Sequence, residues 1–249
     1  MIRFFCRPDY EGMSKQAAAV LAAQVIGKPK SVLGLATGSS PEGMYAELAR
    51  MYAAGIVSFR SVRSFNLDEY VGLAPTHDQS YRYFMEKHFF SKTDITNVAL
   101  PNGLAKDIGA ECAGYDASVE AAGGIDLQLL GIGHNGHIGF NEPGDEFIPG
   151  THCVTLTEST IAANARFFAS PDDVPRQALS MGIRNIMQAK KVLLVVSGEA
   201  KAEIMERTFF GAISPRVPAS ILQLHPDVTV CGDAAALSCI AAKHPEALR

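Results

Sequence analysis

A glycine-rich stretch in the middle of the chain holds the densest group of side chains that could transfer protons. The segment LLGIGHNGHIGFNEPG (129–144) places Asn135, His137 and Glu142 among five glycines, directly after an apolar run. Glycine lets the backbone turn sharply and approach a ligand closely. A histidine beside a carboxylate and an amide is typical of an oriented acid/base that works near neutral pH. We therefore expect acid/base chemistry in this segment.

The same segment raises the question of a metal ion, because His134 and His137 lie close together in it. Zinc sites built on paired histidines need further support, such as a helical HExxH motif or a cysteine partner. The segment has neither of these features, so the sequence predicts no metal site here.

Two adjacent carboxylates, Asp68 and Glu69, follow an apolar run in the segment SFNLDEYVGL (64–73). Carboxyl groups against an apolar wall can have raised pKa values and can serve as a general base. The alternative is structural, with Asp68 capping backbone amides in a loop and Glu69 solvated or in an ion pair. Taken alone, the two residues favour this structural alternative.

A polar turn follows the apolar strand in the segment LGLATGSSPEG (33–43), and Pro41 is expected to begin a helix there. The polar turn consists of Thr37, Gly38, Ser39 and Ser40, of which either serine could cap the helix. Backbone amides, hydroxyls and the helix dipole make such a turn a good anion site. The segment is not a Walker A loop, because no Gly-Lys-Ser/Thr follows, and an ordinary capped turn stays open as the alternative.

Two basic residues could complete an anion site at this turn. Arg166 lies in NARFF (164–168), and Lys201 lies in SGEAK (197–201), in the expected first helical turn after a strand. A cation at a helix amino end opposes the helix dipole, so Lys201 is unfavourable there unless an anion compensates it. Both residues converging on the turn at 37–40 would form a phosphate cradle, whereas solvated surface charges are the alternative.

Strands and helices that must position these residues alternate along the chain. Apolar runs predict strands at 31–36, 62–66, 126–133, 153–157, 190–198 and 228–232, and helical spacing predicts helices at 10–26, 41–54, 78–90, 107–122 and from about 199. This alternation indicates an α/β fold: a single domain over residues 1–249 with a mostly parallel, open, doubly wound and Rossmann-like sheet. Ligands bind such sheets at the carboxyl ends of the strands, and there the polar motifs fall.

Composition excludes several classes of protein. The 249 residues are 47% hydrophobic and 19% charged, which is an ordinary globular balance, and the net charge of −4 disfavours a nucleic-acid partner. The five cysteines form no CxxC pair, which argues against a zinc knuckle or a disulfide framework. The first residues are too polar for a signal peptide, and the apolar runs are shorter than the ~18 residues of a membrane span. We therefore expect a cytoplasmic protein with no membrane partner.

Taken together, five motifs resemble those of the glucosamine-6-phosphate deaminase family. They are GLATGSSPEG, FNLDEYVGL, GIGHNGHIGFNEPG, NARFF and SGEAKA, in the family's order, over about residues 33–203. The related sugar-phosphate lactonases share the fold but lack the FNEPG continuation. The resemblance implies that glucosamine 6-phosphate and water are converted to fructose 6-phosphate and ammonia in amino-sugar catabolism, without a cofactor or a required metal.

The resemblance also implies roles for single residues. Asp68 matches the base that moves the C2 proton to C1 through an enolamine, and His137 matches the acid/base of ring opening, with Glu142 as its carboxylate partner. Asn135 stands where many members carry Asp, and an amide can hold a histidine tautomer but cannot share a proton as a carboxylate can. The positions that match the family's phosphate-binding residues are Thr37, Gly38, Ser39, Ser40, Arg166 and Lys201.

Regulated members of the family bind an N-acetylated sugar phosphate at a basic, serine-containing site. The corresponding positions here are Asp145, Glu146, His152 and Val154. Acidic residues at these positions would repel a phosphate, so we predict no such activation. As a partner we expect only the small-molecule substrate, with the chain a monomer or a small homo-oligomer.

Two alternative functions compete with the deaminase hypothesis. A 6-phosphogluconolactonase-type hydrolase is disfavoured by the FNLDEY and FNEPG segments. A non-catalytic sugar-phosphate sensor is disfavoured because Asp68, His137 and Glu142 are all retained.

Overall fold

Parallel strands form the central sheet of the protein. The computed structural model describes residues 1–156, 161, 168, 170 and 173–248, and over these residues the sheet has seven strands. They are β1 (Ile2–Arg7), β2 (Val32–Leu35), β3 (Arg63–Asn66), β5 (Asn97–Ala99), β6 (Leu127–Leu130), β9 (Val192–Val196) and β10 (Val228–Asp233). Their order is β1-β10-β9-β6-β2-β3-β5, with every pair parallel. Every residue of β6 and β9 is buried, as is typical of parallel strands covered on both faces.

Helices connect and flank these strands. In the described part of the chain they are α1 (Tyr10–Gly27), α2 (Ser39–Ala53), α3 (Tyr81–His88), α4 (Ile108–Ala121), α5 (Ile183–Gln188), α6 (Ala202–Phe210) and α7 (Ser238–Lys243). Helix α1 begins where Asp9 accepts from the amide of Gly12, and α4 begins where Asp107 accepts from the amide of Ala110. None of the described helices combines the length and the apolar character needed to cross a membrane.

A second, smaller sheet lies at the carboxyl ends of the central strands. Strands β4 (Asp68–Tyr70), β8 (Gln177–Ser180) and β7 (His152–Thr155) pair antiparallel in that order. Leu67 joins the two sheets, because its amide donates to Leu35 O at 3.0 Å and its carbonyl accepts from Met181 N at 2.7 Å. The chain therefore continues directly from β3 into the small sheet, which fixes where Asp68 lies.

The prediction of a mostly parallel α/β sheet is confirmed, and each of the six predicted strands overlaps an observed one. The sequence missed β1, β4, β5 and β8. Strands β4 and β5 have only three residues, too few for a periodic signal. Strand β1 lies at the edge of the sheet, and five of its six residues are only half-buried, so it lacks an apolar run. The small antiparallel sheet was therefore not predicted.

Candidate active site

Four polar segments lie side by side at the carboxyl edge of the central sheet. They follow β9, β6, β2 and β3, which are consecutive in the sheet. Neighbouring strands are about 4.8 Å apart, so the four strand ends span roughly 15 Å. From β2 the chain winds outward through β3 and β5, and from β6 it winds the other way through β9 and β10. The crevice between the ends of β2 and β6 is therefore the topological switch point, where ligands bind in open α/β sheets.

Asn135, His137 and Glu142 are brought together in the loop that follows β6. The Asn135 amide donates to Glu142 Oε2 at 2.7 Å, and its carbonyl oxygen accepts from His137 N at 3.1 Å. The other carboxylate oxygen, Oε1, lies 3.3 Å from His137 Nδ1, a contact that becomes an ion pair when the imidazole is protonated. A carboxylate beside Nδ1 favours a proton on that atom and leaves Nε2 to exchange a proton with a ligand.

The imidazole of His137 packs directly against the backbone of Gly133. A Cβ atom at Gly133 would lie 2.3 Å from His137 Cε1 and 2.4 Å from Nε2, distances that real Cβ atoms do not reach. The Gly133 amide also donates to His137 O at 2.9 Å, which closes the turn. Glycine at this position is therefore what gives the ring its place.

Asp68 begins strand β4 and is 7% exposed. Burial raises the pKa of its carboxyl to about 8, and the negative charge of Glu69 adds to the effect. Opposite Asp68 in the antiparallel pair stands Ser180, whose Oγ accepts from Phe140 N at 2.9 Å. Because Phe140 belongs to the loop that carries His137 and Glu142, this contact holds the loop against β8, the strand that pairs with the strand of Asp68. A carboxyl group with a pKa near neutral is suited to act as a general base.

Glu69 has a different place from its neighbour. Its carboxylate accepts hydrogen bonds from the backbone amides of Tyr70, Tyr81 and Arg82, each at 2.9 Å. Glu69 is thus the group that caps backbone amides, and it is neither solvated nor in an ion pair within the described structure. Asp68, by contrast, accepts no backbone hydrogen bond from the described residues. The structural alternative for this pair is therefore wrong for both residues.

The turn after β2 leads into helix α2 earlier than the sequence predicts. The helix begins at Ser39, with Gly38 as its N-cap at φ +96°, and no side chain caps it. The expectations that Pro41 begins the helix and that a serine caps it are wrong, because Gly38 adopts a backbone conformation that other residues avoid. Gly38 and Ser39 are exposed, while Thr37 and Ser40 are half-buried. The uncapped amides of this helix end are free to bind an anion.

Lys201 lies at the end of a 3₁₀ turn, Glu199–Lys201, and serves as the N-cap residue of α6 rather than as part of its first turn. Its Nζ donates to Ile132 O at 2.8 Å, which brings the lysine to the end of β6. Burial lowers the pKa of Lys201 to about 8. Over the described ranges no carboxylate forms an ion pair with it, so its charge is available to an anionic ligand.

Comparison with known proteins assigns the chain to a family. Residues 10–231 match the family described as glucosamine-6-phosphate isomerases/6-phosphogluconolactonase. The chain belongs to this family.

Relatives within the family cover nearly the whole chain. A glucosamine-6-phosphate deaminase of Clostridioides difficile (strain 630) is 57% identical over 232 residues, which are 92% of this chain and 93% of the relative. A glucosamine-6-phosphate deaminase of Lachnoclostridium phytofermentans is 58% identical over 224 residues, 89% of this chain and 95% of that one.

Two solved structures illustrate the range of the fold. A monomeric glucosamine-6-phosphate deaminase superposes with a TM-score of 0.92 at 46% identity, over 95% of this chain and 99% of that one. A 6-phosphogluconolactonase from Thermotoga maritima has a TM-score of 0.73 at 18% identity, over 94% of this chain and 99% of that one, and shares the fold alone.

Most of the predicted site residues of this family member lie at the carboxyl edge. The loop after β6 brings together Asn135, His137 and Glu142, and Asp68 lies beside that loop. The turn 37–40 and Lys201 lie on either side of the end of β6, after β2 and β9. Arg166 lies outside the described residues. His134 is exposed, and no group of three or more metal-binding side chains occurs in the described parts of the chain.

Two supporting residues of this edge were missed in the sequence. Asp233 accepts from Ser197 Oγ at 2.5 Å and from Gly198 N at 3.0 Å, which anchors the turn that leads to Lys201. The hydroxyl of Tyr10 donates to Ser39 O at 2.8 Å and accepts from Gly43 N at 2.7 Å. Asp233 directly follows the predicted strand 228–232, which is a signal that could have found it, whereas Tyr10 lies far away in sequence and gives none.

Proposed function

We propose that this chain is a glucosamine-6-phosphate deaminase, which converts glucosamine 6-phosphate and water to fructose 6-phosphate and ammonia. The observation that carries the proposal is a buried carboxyl group, Asp68, which lies close to Gly139 of the loop that holds the His137–Glu142 pair. It stands in a chain that is 57% identical to a relative of that name. Ring opening, proton transfer between C2 and C1, and loss of ammonia all need acid/base groups that work near neutral pH.

Ring opening is the step we assign to His137. The imidazole takes the proton of the C1 hydroxyl through Nε2 and delivers a proton to the ring oxygen as the C1–O bond breaks. Glu142 beside Nδ1 stabilises the imidazolium that forms between these two events. Asn135 holds the carboxylate in position through its 2.7 Å hydrogen bond. Positioned acid/base groups of this kind contribute roughly 10²–10⁴-fold to a rate.

Proton transfer between the two carbons is the step we assign to Asp68. Its carboxylate removes the C2 proton of the open-chain sugar, which gives an enolamine, and returns the proton to C1. The resulting C2 imine adds water and releases ammonia, so that the sum of atoms is that of the overall reaction. A base with a pKa of about 8 is a stronger proton acceptor than an ordinary carboxylate, which suits a weakly acidic carbon.

The phosphate group of the substrate is the part we assign to the turn 37–40, Lys201 and Arg166. Exposed amides at the start of α2 and the half-buried ammonium of Lys201 supply the attraction that the net charge of −4 does not. These contacts are far from C1 and C2. Their binding energy therefore serves to hold the reacting carbons in place.

We further propose that residues 1–249 work as one domain and as a monomer, with the sugar phosphate as the small-molecule partner. The monomeric state of the similar deaminase structure supports this. A cytoplasmic location, the absence of a cofactor and the absence of activation by N-acetylglucosamine 6-phosphate stay predictions. Arg216 forms an ion pair with Asp145, one of the acidic positions that carry the last of these predictions.

A single assay tests the function. Purified protein is given glucosamine 6-phosphate, and both ammonia and fructose 6-phosphate are measured, with and without N-acetylglucosamine 6-phosphate. We expect both products in equal amounts, a hyperbolic rate curve without the effector, and no activity towards 6-phosphogluconolactone. Absence of product in the wild type, or full activity of Asp68→Asn, would overturn the proposal.

A further inference from the structure

The carboxylate of Glu69 connects the strand of Asp68 to the amino end of helix α3. Glu69 is 4% exposed, and Oε1 accepts from the amides of Tyr70 and Tyr81 while Oε2 accepts from the amide of Arg82. Ser80 Oγ accepts from the amide of Tyr83 at 3.1 Å. Glu69 and Ser80 therefore satisfy the first three amides of the helix, and Glu69, which binds two of them, lies twelve positions before the helix begins.

Helix α3 in turn supports the loop that carries the other acid/base residues. The ring of Tyr81 is stacked on Phe140, with 4° between the planes and 6.0 Å between the centroids. Tyr70 packs against both rings, 4.9 Å from Tyr81 and 5.8 Å from Phe140. Phe140 stands between His137 and Glu142 in the chain. A continuous set of contacts thus runs from Glu69 through α3 to the loop of His137.

Glu69 also differs from Asp68 in how its charge is stabilised. Burial raises the pKa of Glu69, and its three amide hydrogen bonds offset part of that rise. Asp68 Oδ1 is buried without a hydrogen-bond partner in the described structure, so burial acts on Asp68 without such an offset. Glu69 therefore ionises before Asp68, and Asp68 loses its proton beside an existing negative charge.

Other titratable groups near Asp68 come from every element packed around it. Burial raises the pKa values of four tyrosines on α2, β4, α3 and α4, and the charge of Asp68 raises them further. Their side chains are therefore neutral at the pH at which Asp68 titrates; they are Tyr45, Tyr70, Tyr81 and Tyr115. The loop after β6 adds His137 and Glu142, and β8 adds the non-ionising Ser180. Among the groups that shift Asp68, Glu69 is the charged one.

We propose that Glu69 is a positioning residue of this site, which holds Asp68 against the loop of His137 and keeps a fixed negative charge beside it. The inference rests on the proposed role of Asp68 as the base. Glu69 does not touch the substrate. It acts by fixing the position of Asp68 and by raising the pH at which Asp68 loses its proton.

Glu69→Gln and Glu69→Asp test the charge and the position of the side chain in turn. The Gln variant removes the charge and, because an amide has one acceptor oxygen, one of the two acceptor atoms as well. The acid limb of its kcat/KM profile should move to lower pH by about one unit or more. The Asp variant keeps the charge on a shorter side chain. We expect its acid limb to stay near that of the wild type while kcat falls about tenfold or more through misplacement.

Asp107→Asn provides a matched control, because Asp107 is the exposed N-cap of α4 and accepts from Ala110 N at 2.9 Å. It should lower the unfolding temperature and leave the pH profile unchanged. An unshifted acid limb in Glu69→Gln would overturn the proposal and leave Glu69 as a helix cap.

A measurement without turnover covers the cases in which Glu69→Gln is inactive or the wild type is not a deaminase. The free energy of unfolding is measured against pH for the chain with Asp68 and for Asp68→Asn, once with Glu69 and once with Glu69→Gln. The difference between the two free energies is then plotted against pH in each background. We expect its midpoint to move to lower pH when Glu69 loses its charge, whatever the reaction. An identical midpoint in both backgrounds would contradict the proposal, whereas failure of the deaminase assay alone would contradict only the proposed function. If Glu69→Gln does not fold, the same comparison is made with Glu69→Asp, whose unchanged midpoint supports the proposal and whose lowered midpoint contradicts it.

Discussion

Oε1 of Glu142 lies 3.3 Å from Nδ1 of His137 in the loop after β6. The other oxygen of the same carboxylate is taken by the amide of Asn135 at 2.7 Å, so the carboxylate cannot turn away from the imidazole without losing that bond. An amide donor in this position has no proton to give up. Asn135 therefore adds no ionisation beside His137, and the negative charge there is that of Glu142 alone among these three residues.

Asn135→Asp should change the pH dependence of ring opening. A second carboxylate at hydrogen-bond distance from Glu142 must share a proton with it, because like charges this close do not both ionise near neutral pH. We expect the pH profile of kcat to gain one ionisation above the ordinary carboxyl range of about 4. The profile is measured with glucosamine 6-phosphate, and a curve that superposes on that of the wild type contradicts the prediction.

Gly133→Ala should displace the imidazole of His137. The added methyl group would stand 2.3 Å from Cε1 of the ring, so the ring must move by about an ångström. A displacement of this size in an acid/base group costs on the order of 10² in rate. We expect kcat to fall by about that factor with a much smaller change in KM, measured by steady-state kinetics.

Gly131→Ala is the matched control for this substitution. It lies in the same loop, yet a Cβ atom at Gly131 meets nothing within 4 Å. Its activity should stay within about twofold of the wild type, because added bulk in open space disturbs no neighbour. Equal loss of activity in both variants would show that the loop tolerates no alanine and would remove the argument for the ring contact.

The sequence predicts the edge where the site lies but not the division of labour between two carboxylates. Apolar runs identify the central strands, and the rule for parallel sheets places the polar segments at their carboxyl ends. Asp68 and Glu69, however, share one short strand, and successive side chains of a strand point to opposite faces. Which face meets the loop of His137 depends on pairing with β8, more than 100 residues later. That pairing is a long-range contact which local sequence does not record.

The start of α2 shows a second limit of local rules. Proline is common at the first position of a helix, and this preference predicts a start at Pro41. The structure starts the helix at Ser39, because Gly38 turns the chain at φ +96°. Gly38 as an N-cap and Pro41 as a first helical residue are both compatible with a helix start, and the contacts around the turn decide which of them is used. The hydroxyl of Tyr10, which bridges Ser39 O and Gly43 N, is one such contact.

Asp68→Asn should strongly reduce turnover and stabilise the protein in alkaline solution. The pKa of this carboxyl is about 8 in the folded chain against an ordinary value of 3.8, so the folded state keeps a proton that the unfolded state loses. Between these two values the unfolding free energy falls as pH rises, and it is fully reduced above pH 8. We expect kcat to fall by about 10²–10⁴, and the variant to gain a few kcal/mol over the wild type at about pH 8.5.

Urea unfolding at about pH 4 and 8.5 checks the stability part of this prediction. At the lower pH the folded state is protonated at Asp68 and the unfolded state is only about half ionised, so the variant should gain little there. In the wild type, kcat/KM should rise with pH up to about 8, because the base must be ionised to act. A gain in stability that is the same at both pH values contradicts the assignment of a raised pKa to Asp68.

Lys201 should take up a proton when a phosphate group binds. Burial lowers the pKa of its ammonium to about 8, and the described residues offer it no carboxylate, so near that pH about half of the molecules carry a neutral lysine. A phosphate beside it favours the charged form and raises the pKa again. Affinity for a sugar phosphate should therefore fall by up to about tenfold per pH unit above pH 8, since the phosphate itself is already dianionic there. Titration calorimetry at about pH 8.5 in buffers of different ionisation enthalpy measures the uptake.

Lys201→Arg keeps a permanent charge and should bind without this uptake, whereas Lys201→Ala should raise KM about tenfold or more with kcat largely kept. Proton uptake that persists in Lys201→Arg assigns the titrating group elsewhere and refutes the prediction.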